Sequence, residues 1–420
     1  MKIAIVALGS RGDVQPYVAL GKALKAAGHG VNLVTHENFE TLVTSHGLRF
    51  CAMPGNVQAV MESDELRALL EKGNFLAINA YTSKLVKTIS IEWAKAGLVA
   101  CQGMDLLIGG VGGGTIMRAL AEKLQIPILQ AHVFPYKPTT AFPAVLFPPW
   151  LTKLGGMVNW LSHHLMRQIM WQSSRNADRL VRSQVLGLPP APFFGPKKDA
   201  KLMPFPTLYG FSPSVIPKPA DWKNTEVTGA WFLDAEPDWT PPESLVSFLA
   251  RGPAPVYIGF GSMGSRNPEE TAGLVLQAIA QTGQRAILQS GWGGLAPQDL
   301  PENVLVVNSV PHSWLFPQMA AIVHHGGAGT TAASLRAGVP SIVIPFFGDQ
   351  PLWGQRVADL GVGPAPIPRK KLTIDRLAQA IQTAMGDPMM RQRSAQLGAK
   401  IQAEDGLARV VETIDRLRFG

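Results

Sequence analysis

The run His324-His325-Gly326-Gly327-Ala328-Gly329-Thr330-Thr331 carries the strongest chemical signal in the chain. Glycine-rich backbone entering a helix leaves free N–H groups at the positive end of the helix dipole, which suits a phosphate. Thr330 and Thr331 add hydroxyl donors, and a histidine can donate to a phosphate oxygen. A plain turn that needs glycine for positive φ, with histidine closing a core strand, accounts for the same residues. The Gly-Lys-Ser/Thr ending of a Walker loop is absent. Further on, Asp349-Gln350 follows an apolar run over 341–345. A carboxylate beside an amide can grip the vicinal hydroxyls of a sugar, or Asp349 can cap a helix that starts at Pro351. Asp13, after Gly9-Ser10-Arg11-Gly12, has two readings as well: a helix cap, or a general base that takes a proton from a hydroxyl. Ser10 and Arg11 are either structural or close to an anionic leaving group.

Weaker features surround these. Gly109, Gly110, Gly112, Gly113 and Gly114 form a dinucleotide-like loop whose fingerprint is imperfect, and which reads better as backbone approaching a substrate. His163-His164 has no further partner at metal-ligand spacing, and the chain contains no Asp-x-Asp. No metal site and no cofactor are therefore expected. Aromatic residues are concentrated at Trp93, Phe134, Tyr136, Phe142, Phe147, Trp150, Trp160 and Trp171. They suit a flat apolar alcohol, although ordinary core packing claims part of the set.

The elements that must hold these residues alternate. Apolar runs over 3–8, 31–35, 105–108 and 126–130 read as buried strands, and 13–27 as a helix with Gly28 as its stop. Residues 206–220, rich in proline around the Gly210-Phe211-Ser212-Pro213 turn, read as a linker. A second series follows with strands over 256–260, 285–289, 304–308, 321–325 and 341–345. Asn267-Pro268-Glu269-Glu270 opens a helix there. The fold expected is α/β with two doubly wound, Rossmann-like domains, 1–205 and 221–400, facing a central cleft. A closing helix within 401–420 packs back on the first domain. Gly9-Ser10-Arg11-Gly12 and Gly261-Ser262-Met263-Gly264 end the first strand of each domain, a weak internal repeat that sets the two lobes opposite each other.

Composition agrees. The chain has 420 residues, 46% hydrophobic and 16% charged, too apolar for disorder. A net charge of +8 favours acidic partners such as nucleotides or an anionic membrane surface, where Lys197-Lys198 and Arg369-Lys370-Lys371 could dock. Scattered basic residues and the absence of any nucleic-acid module argue against DNA or RNA. Two cysteines, no export signal and no unbroken apolar run of membrane-spanning length point to a cytoplasmic, at most peripheral, protein.

These blocks resemble a known family. The stretch from His324 to Pro351 is similar to the nucleotide-sugar signature of family-one glycosyltransferases with the GT-B fold. The opening Gly-Ser-Arg-Gly-Asp-Val-Gln-Pro resembles the sterol glucosyltransferases and their antibiotic-modifying relatives. Tyr257 to Met263 and Pro311 to Pro317 are also like the sterol branch. The resemblance implies an inverting, metal-independent transfer of glucose from UDP-glucose to a hydrophobic alcohol such as a sterol. Another lipid, carotenoid or polyketide acceptor is the alternative, and a non-catalytic nucleotide-sugar or lipid-binding protein is the reading from a different class. By position, the resemblance implies that His325 and Gly327, Gly329, Thr330 and Thr331 hold the diphosphate, with Gly261, Ser262, Ser10 and Arg11 near it. It implies that Asp349 and Gln350 hold the glucose and that Asp13 is the base. The uracil falls near Val310 and His312, stacked on Trp292. Trp93, Phe134, Phe142, Phe147, Trp150 and Trp171 are the expected acceptor contacts. Two positions depart from the plant-type signature: Ser309 stands where a tryptophan stacks the base, and Ala333 where a glutamate holds the ribose.

Overall fold

The computed structural model describes residues 1–419 except 73–74, 197–198, 200, 236–238, 262–267 and 291–299. Ile3, Ala4, Ile5 and Val6 are buried on both sides of their strand, as a strand covered by helices on two faces requires. Ile3 and Ile5 pack into one core and Ala4 and Val6 into the other. This strand, β1 (Lys2–Val6), feeds helix α1 (Arg11–Ala26). Strands β2 (Gly30–His36) and β3 (Arg49–Met53) follow, then the long helix α2 (Phe75–Cys101). Strand β4 (Leu106–Gly109), helix α3 (Gly114–Leu124), strand β5 (Ile128–His132) and helix α4 (Gly156–Val181) come next.

The stretch 206–220, expected as a linker, instead carries β6 (Thr207–Tyr209), which pairs in parallel with β5. It is followed by β7 (Thr225–Val227), which pairs with β6. Prolines bracket these strands, and three-residue strands are too short to show a period. The boundary of the first sheet therefore moves to about residue 227.

The second sheet holds β8 (Val256–Gly259), β9 (Ala286–Gln289), β10 (Val304–Val307), β11 (Ala321–His324) and β12 (Ser341–Val343). Helix α5 (Ala328–Arg336) leaves β11, and α6 (Gln350–Asp359) follows β12. Among the described residues the sheets have seven and five strands, ordered β3-β2-β1-β4-β5-β6-β7 and β10-β9-β8-β11-β12, with every pairing parallel.

The closing helix expected within 401–420 is α7 (Gly406–Phe419). A Cβ on Gly406 would lie 2.6 Å from the Gly229 carbonyl, so only glycine allows this approach. Val410 and Ile414 of α7 share a core with Ile3 and Ile5. Just before α7, Glu404 accepts hydrogen bonds from Ser212 Oγ at 2.7 Å and Ser214 Oγ at 2.9 Å.

Arg182, 2% exposed, ties the helical layer of the first lobe together. Its Nε donates to Asp178 at 2.9 Å and its Nη2 to Glu122 at 2.7 Å. Truncation would leave a buried carboxylate without its cation. Arg182→Ala is expected to lower unfolding free energy by about 3–5 kcal/mol in urea titration. A loss below about 1 kcal/mol, the scale of an exposed pair, would refute this role.

Candidate active site at the two strand-end crevices

Each sheet reverses its strand order beside its first strand, between β1 and β4 and between β8 and β11. Crevices of α/β sheets open at such points, outside the carboxyl ends of the strands. The first crevice carries the loop from Gly9 to Asp13 and the glycines 109–114. The second carries Gly261 and the His325–Gly327 bend.

Asp13 closes the first turn of its helix with one carboxylate oxygen and leaves the other uncommitted. Its Oδ2 accepts from Ser10 N at 2.8 Å and from Ser10 Oγ at 2.9 Å, closing the first turn of α1. Its other oxygen, Oδ1, takes no hydrogen bond among the described residues and is free to accept a proton. Burial raises the carboxyl pKa, opposed by the two Ser10 bonds. Gly9 has φ of +140°, and a Cβ there would lie 2.4 Å from Asp13 Oδ2, so the loop closes over the carboxylate only with glycine. Arg11 donates Nε to Gln15 at 2.9 Å and lies close enough to His312 of the other lobe for the two to interact electrostatically.

The two adjacent histidines divide their work. His324 ends β11 fully buried. Its Nδ1 accepts from Gly326 N at 3.0 Å, and Ser334 Oγ lies 3.4 Å from Nε2. Burial drives its pKa well down, so it is a neutral structural residue. His325 faces the bend, its ring held between two glycines. A Cβ on Gly327 would lie 2.5 Å from Nε2, and one on Gly261 would lie 3.1 Å from Cε1. His325 Nδ1 is buried without a partner, and burial lowers the ring pKa to about 4.

Behind His325, Gly327 caps α5 in extended conformation. The N–H groups of Ala328, Gly329 and Thr330 occupy the first helical positions, where no preceding turn can satisfy them. The N–H of Thr331 bonds back to Gly327 O at 2.9 Å. Thr331 is buried, its hydroxyl has no partner, and the residue also borders a small apolar void with Val133, Phe211 and Trp353.

Asp349 stands opposite Asp13, near enough for the two charges to interact, and its Oδ2 accepts from Trp353 Nε1 at 2.7 Å. Burial, reinforced by the charge of Asp13, pushes its carboxyl up to about 6. Gln350 is committed differently from expectation. Its Oε1 accepts from Phe346 N at 2.7 Å and Phe347 N at 3.2 Å, leaving only the amide NH2 for a ligand. Val310 is packed in the core with Leu315 and Phe316, so its side chain is not a ligand contact. His312 stacks on Phe316 at 4.1 Å, with burial holding its pKa near 3. Ser262 and Trp292 lie outside the described residues.

A cavity of about 2000 Å³ runs through the first lobe from Gly9 and the glycines 109–114 to helices α2, α3 and α4. Trp93, Phe147 and Trp171 line it. Phe134 and Phe142 instead pack in the core against Trp353 and Leu352, and Trp150 is 59% exposed outside the cavity. His36, Arg118, His132 and Arg167 also line the wall. Dispersed over four elements and outside any motif, they carry no signal in the sequence. Of the basic clusters, Lys197-Lys198 lies outside the described residues, while Arg369 donates to Thr271 Oγ1 at 2.9 Å.

Two family models match the chain: the glycosyltransferase family 28 N-terminal domain over residues 3–143, and the erythromycin biosynthesis protein CIII-like C-terminal domain over 275–417. Among solved structures, the glycosyltransferase VinC in complex with dTDP is similar over all of both chains, with TM-score 0.67 and 18% identity. SsfS6 of Streptomyces sp. SF2575, complexed with thymidine diphosphate, covers 99% of both chains with TM-score 0.66 and 19% identity. The fold is thus that of the two-domain GT-B glycosyltransferases. The sterol 3-beta-glucosyltransferase UGT80B1 of Arabidopsis thaliana is 36% identical over 99% of this chain and 68% of its own length. The sterol 3-beta-glucosyltransferase of Emericella nidulans is 38% identical over 99% of this chain, which spans only 30% of that longer protein. The chain belongs to the sterol 3-beta-glucosyltransferase family.

An ionised carboxylate can only accept hydrogen bonds, so if Asp349 holds sugar hydroxyls its protonated form must give up one acceptor. With its pKa raised to about 6, the acceptor form is complete above that pH and is lost as pH falls through it. Calorimetric affinity for UDP-glucose should therefore weaken from pH 7 to pH 5, and Asp349→Asn should remove that dependence. Wild-type affinity that is flat across this range would contradict the role.

Proposed function

We propose that the chain transfers glucose from UDP-glucose to the hydroxyl of a hydrophobic, sterol-like acceptor, giving a β-glycoside. The observation that carries this reading is the free Oδ1 of Asp13. Gly9 of the same loop lines the first lobe's cavity, and Asp349 of the facing lobe lies near enough to Asp13 for their charges to interact.

In the reaction the acceptor hydroxyl gives its proton to Asp13 Oδ1 as its oxygen forms a bond to the anomeric carbon. The bond from that carbon to the diphosphate oxygen breaks on the opposite face, so an α-linked donor yields a β product. UDP departs with the electron pair. The N–H groups of Ala328, Gly329 and Thr330, the Thr330 hydroxyl and His325 receive its charge. No divalent ion is required in this scheme. A neutral His325 can donate one hydrogen bond, and a bound diphosphate favours its protonation. The lobes keep competing water from the sugar.

The acceptor's apolar body fits the cavity, and a stripe on its outer wall bears on where that body comes from. Leu154, Met157, Leu161 and Leu165 are 60%, 68%, 52% and 52% exposed, at helical spacing, beside exposed Lys153. Leu161 and Leu165 also line the cavity, so the stripe is continuous with its mouth. Among the described residues no helix is long and apolar enough to cross a membrane. Peripheral docking of this stripe on an anionic bilayer would let an acceptor enter without crossing water.

Asp13→Asn should leave UDP-glucose affinity within about twofold while transfer falls by roughly 10²–10⁴. Unchanged transfer would remove Asp13 from the mechanism. Leu154→Asp with Met157→Asp, two stripe residues outside the cavity lining, should reduce turnover of acceptor held in anionic vesicles and spare acceptor dispersed in detergent. Equal effects in both would refute the docking role.

A further inference from the structure

The cavity wall holds two arginines that the transfer reaction does not use. Arg118 on α3 and Arg167 on α4 both line it. A third arginine nearby, Arg182, shows how this fold neutralises such a charge, with Asp178 and Glu122 both bonded to it. Neither Arg118 nor Arg167 has a carboxylate at ion-pair distance among the described residues. Arg118 Nη2 donates to Met203 Sδ at 3.4 Å, a weak acceptor. The Arg167 guanidinium lies 6.0 Å from the ring centroid of Tyr136. Of the cavity's carboxylates, Asp178 is engaged by Arg182 Nε, and Asp199 accepts from Lys201 N at 2.8 Å. His132, on the same wall, has both ring nitrogens buried without a partner, and burial together with Arg167 keeps it neutral.

Two like charges therefore face one largely apolar enclosure, and burial together with the charge of Arg167 disfavours the charge on Arg118. A wholly apolar acceptor would strip water from both guanidinium groups and return nothing. An oxyanion would satisfy both, because guanidinium forks match carboxylate geometry with paired hydrogen bonds. Space permits it: about 2000 Å³ is roughly twice the upper end of an ordinary small-molecule pocket.

Building on the proposed transfer to a hydrophobic alcohol, we propose that the preferred acceptor is an amphiphile bearing an oxyanion, a carboxylate in the simplest case, held by Arg118 and Arg167 while its hydroxyl meets Asp13. The test uses the full chain, UDP-glucose and three matched acceptors: a 3-hydroxysteroid with a side-chain carboxylate, its methyl ester, and a neutral sterol. The acid should be preferred over the ester by about tenfold or more in kcat/KM, mainly through KM, the scale of one charge-assisted hydrogen bond. Arg118→Gln, Arg167→Gln and the double variant should collapse that preference towards one, and Arg167→Lys should restore part of it. Direct binding of the acid lacking its 3-hydroxyl, followed by tryptophan fluorescence, should weaken in parallel in every variant that keeps the wild-type circular dichroism. Transfer to all three acceptors with no preference for the acid would overturn the anion site and leave glycosyl transfer standing. Tight, arginine-dependent binding of the acid with transfer to none of the acceptors would uphold the anion site and overturn the transfer reading. Acid binding that is absent, or indifferent to both arginines, would overturn the proposal outright.

Discussion

One carboxylate must do two things here, and its two oxygens divide them. Ser10 fixes Oδ2 of Asp13 with two hydrogen bonds, which locks the first turn of α1 and leaves Oδ1 without a hydrogen-bond partner among the described residues. A carboxylate left to rotate would lose its angle to an incoming hydroxyl, and one bonded on both oxygens would be a poorer base. Everything else follows from placing that oxygen. Gly9 must lack a side chain so that the loop can fold over the carboxylate, and β1 must be buried on both faces so that the loop is rigid.

The second lobe adds one like charge and a set of uncharged donors. An acid opposite an acid, Asp349 facing Asp13, holds its proton more tightly than a solvated carboxylate would. A helix terminus and a buried neutral imidazole face the same crevice and supply donors without a permanent cation. The contrast between His324 and His325 shows how one strand end serves two purposes. The first ring faces inward and bonds the backbone of its own turn, and the second faces the ligand side. Contacts such as Arg356 Nη2 to Val215 O at 2.6 Å and the serines on Glu404 bring chain from both halves into register.

Much of this was legible in the sequence because buried parallel strands are near-continuous apolar runs ended by glycine. β8, β9, β10, β11 and β12 fall inside runs read that way, and β1, β2, β4 and β5 overlap theirs to within one or two residues at each end. The loops at their carboxyl ends were legible for the same reason. Three-residue strands among prolines were not, so 206–220 read as a linker although it carries β6. Side-chain direction was also hidden. Nothing in Phe134 or Phe142 distinguishes a core aromatic from one lining a cavity. Arg118 and Arg167 belong to no motif in the sequence, and the helices that carry them were not read from it. Their significance arises only when α3 and α4 bring them to one cavity with no carboxylate at ion-pair distance among the described residues.

The account stands on a diphosphate held by backbone, imidazole and hydroxyl alone. Gly327 has φ of −61°, so alanine is free of backbone strain there, yet its Cβ would lie 2.5 Å from His325 Nε2 and must displace the ring. Calorimetric titration of UDP into chelator-treated wild-type and Gly327→Ala protein measures this directly. Affinity should survive the chelator unchanged and fall by about 10–100-fold in Gly327→Ala, the scale of a lost charge-assisted hydrogen bond. Binding that vanishes with the metal ions, or that ignores the substitution, would contradict it.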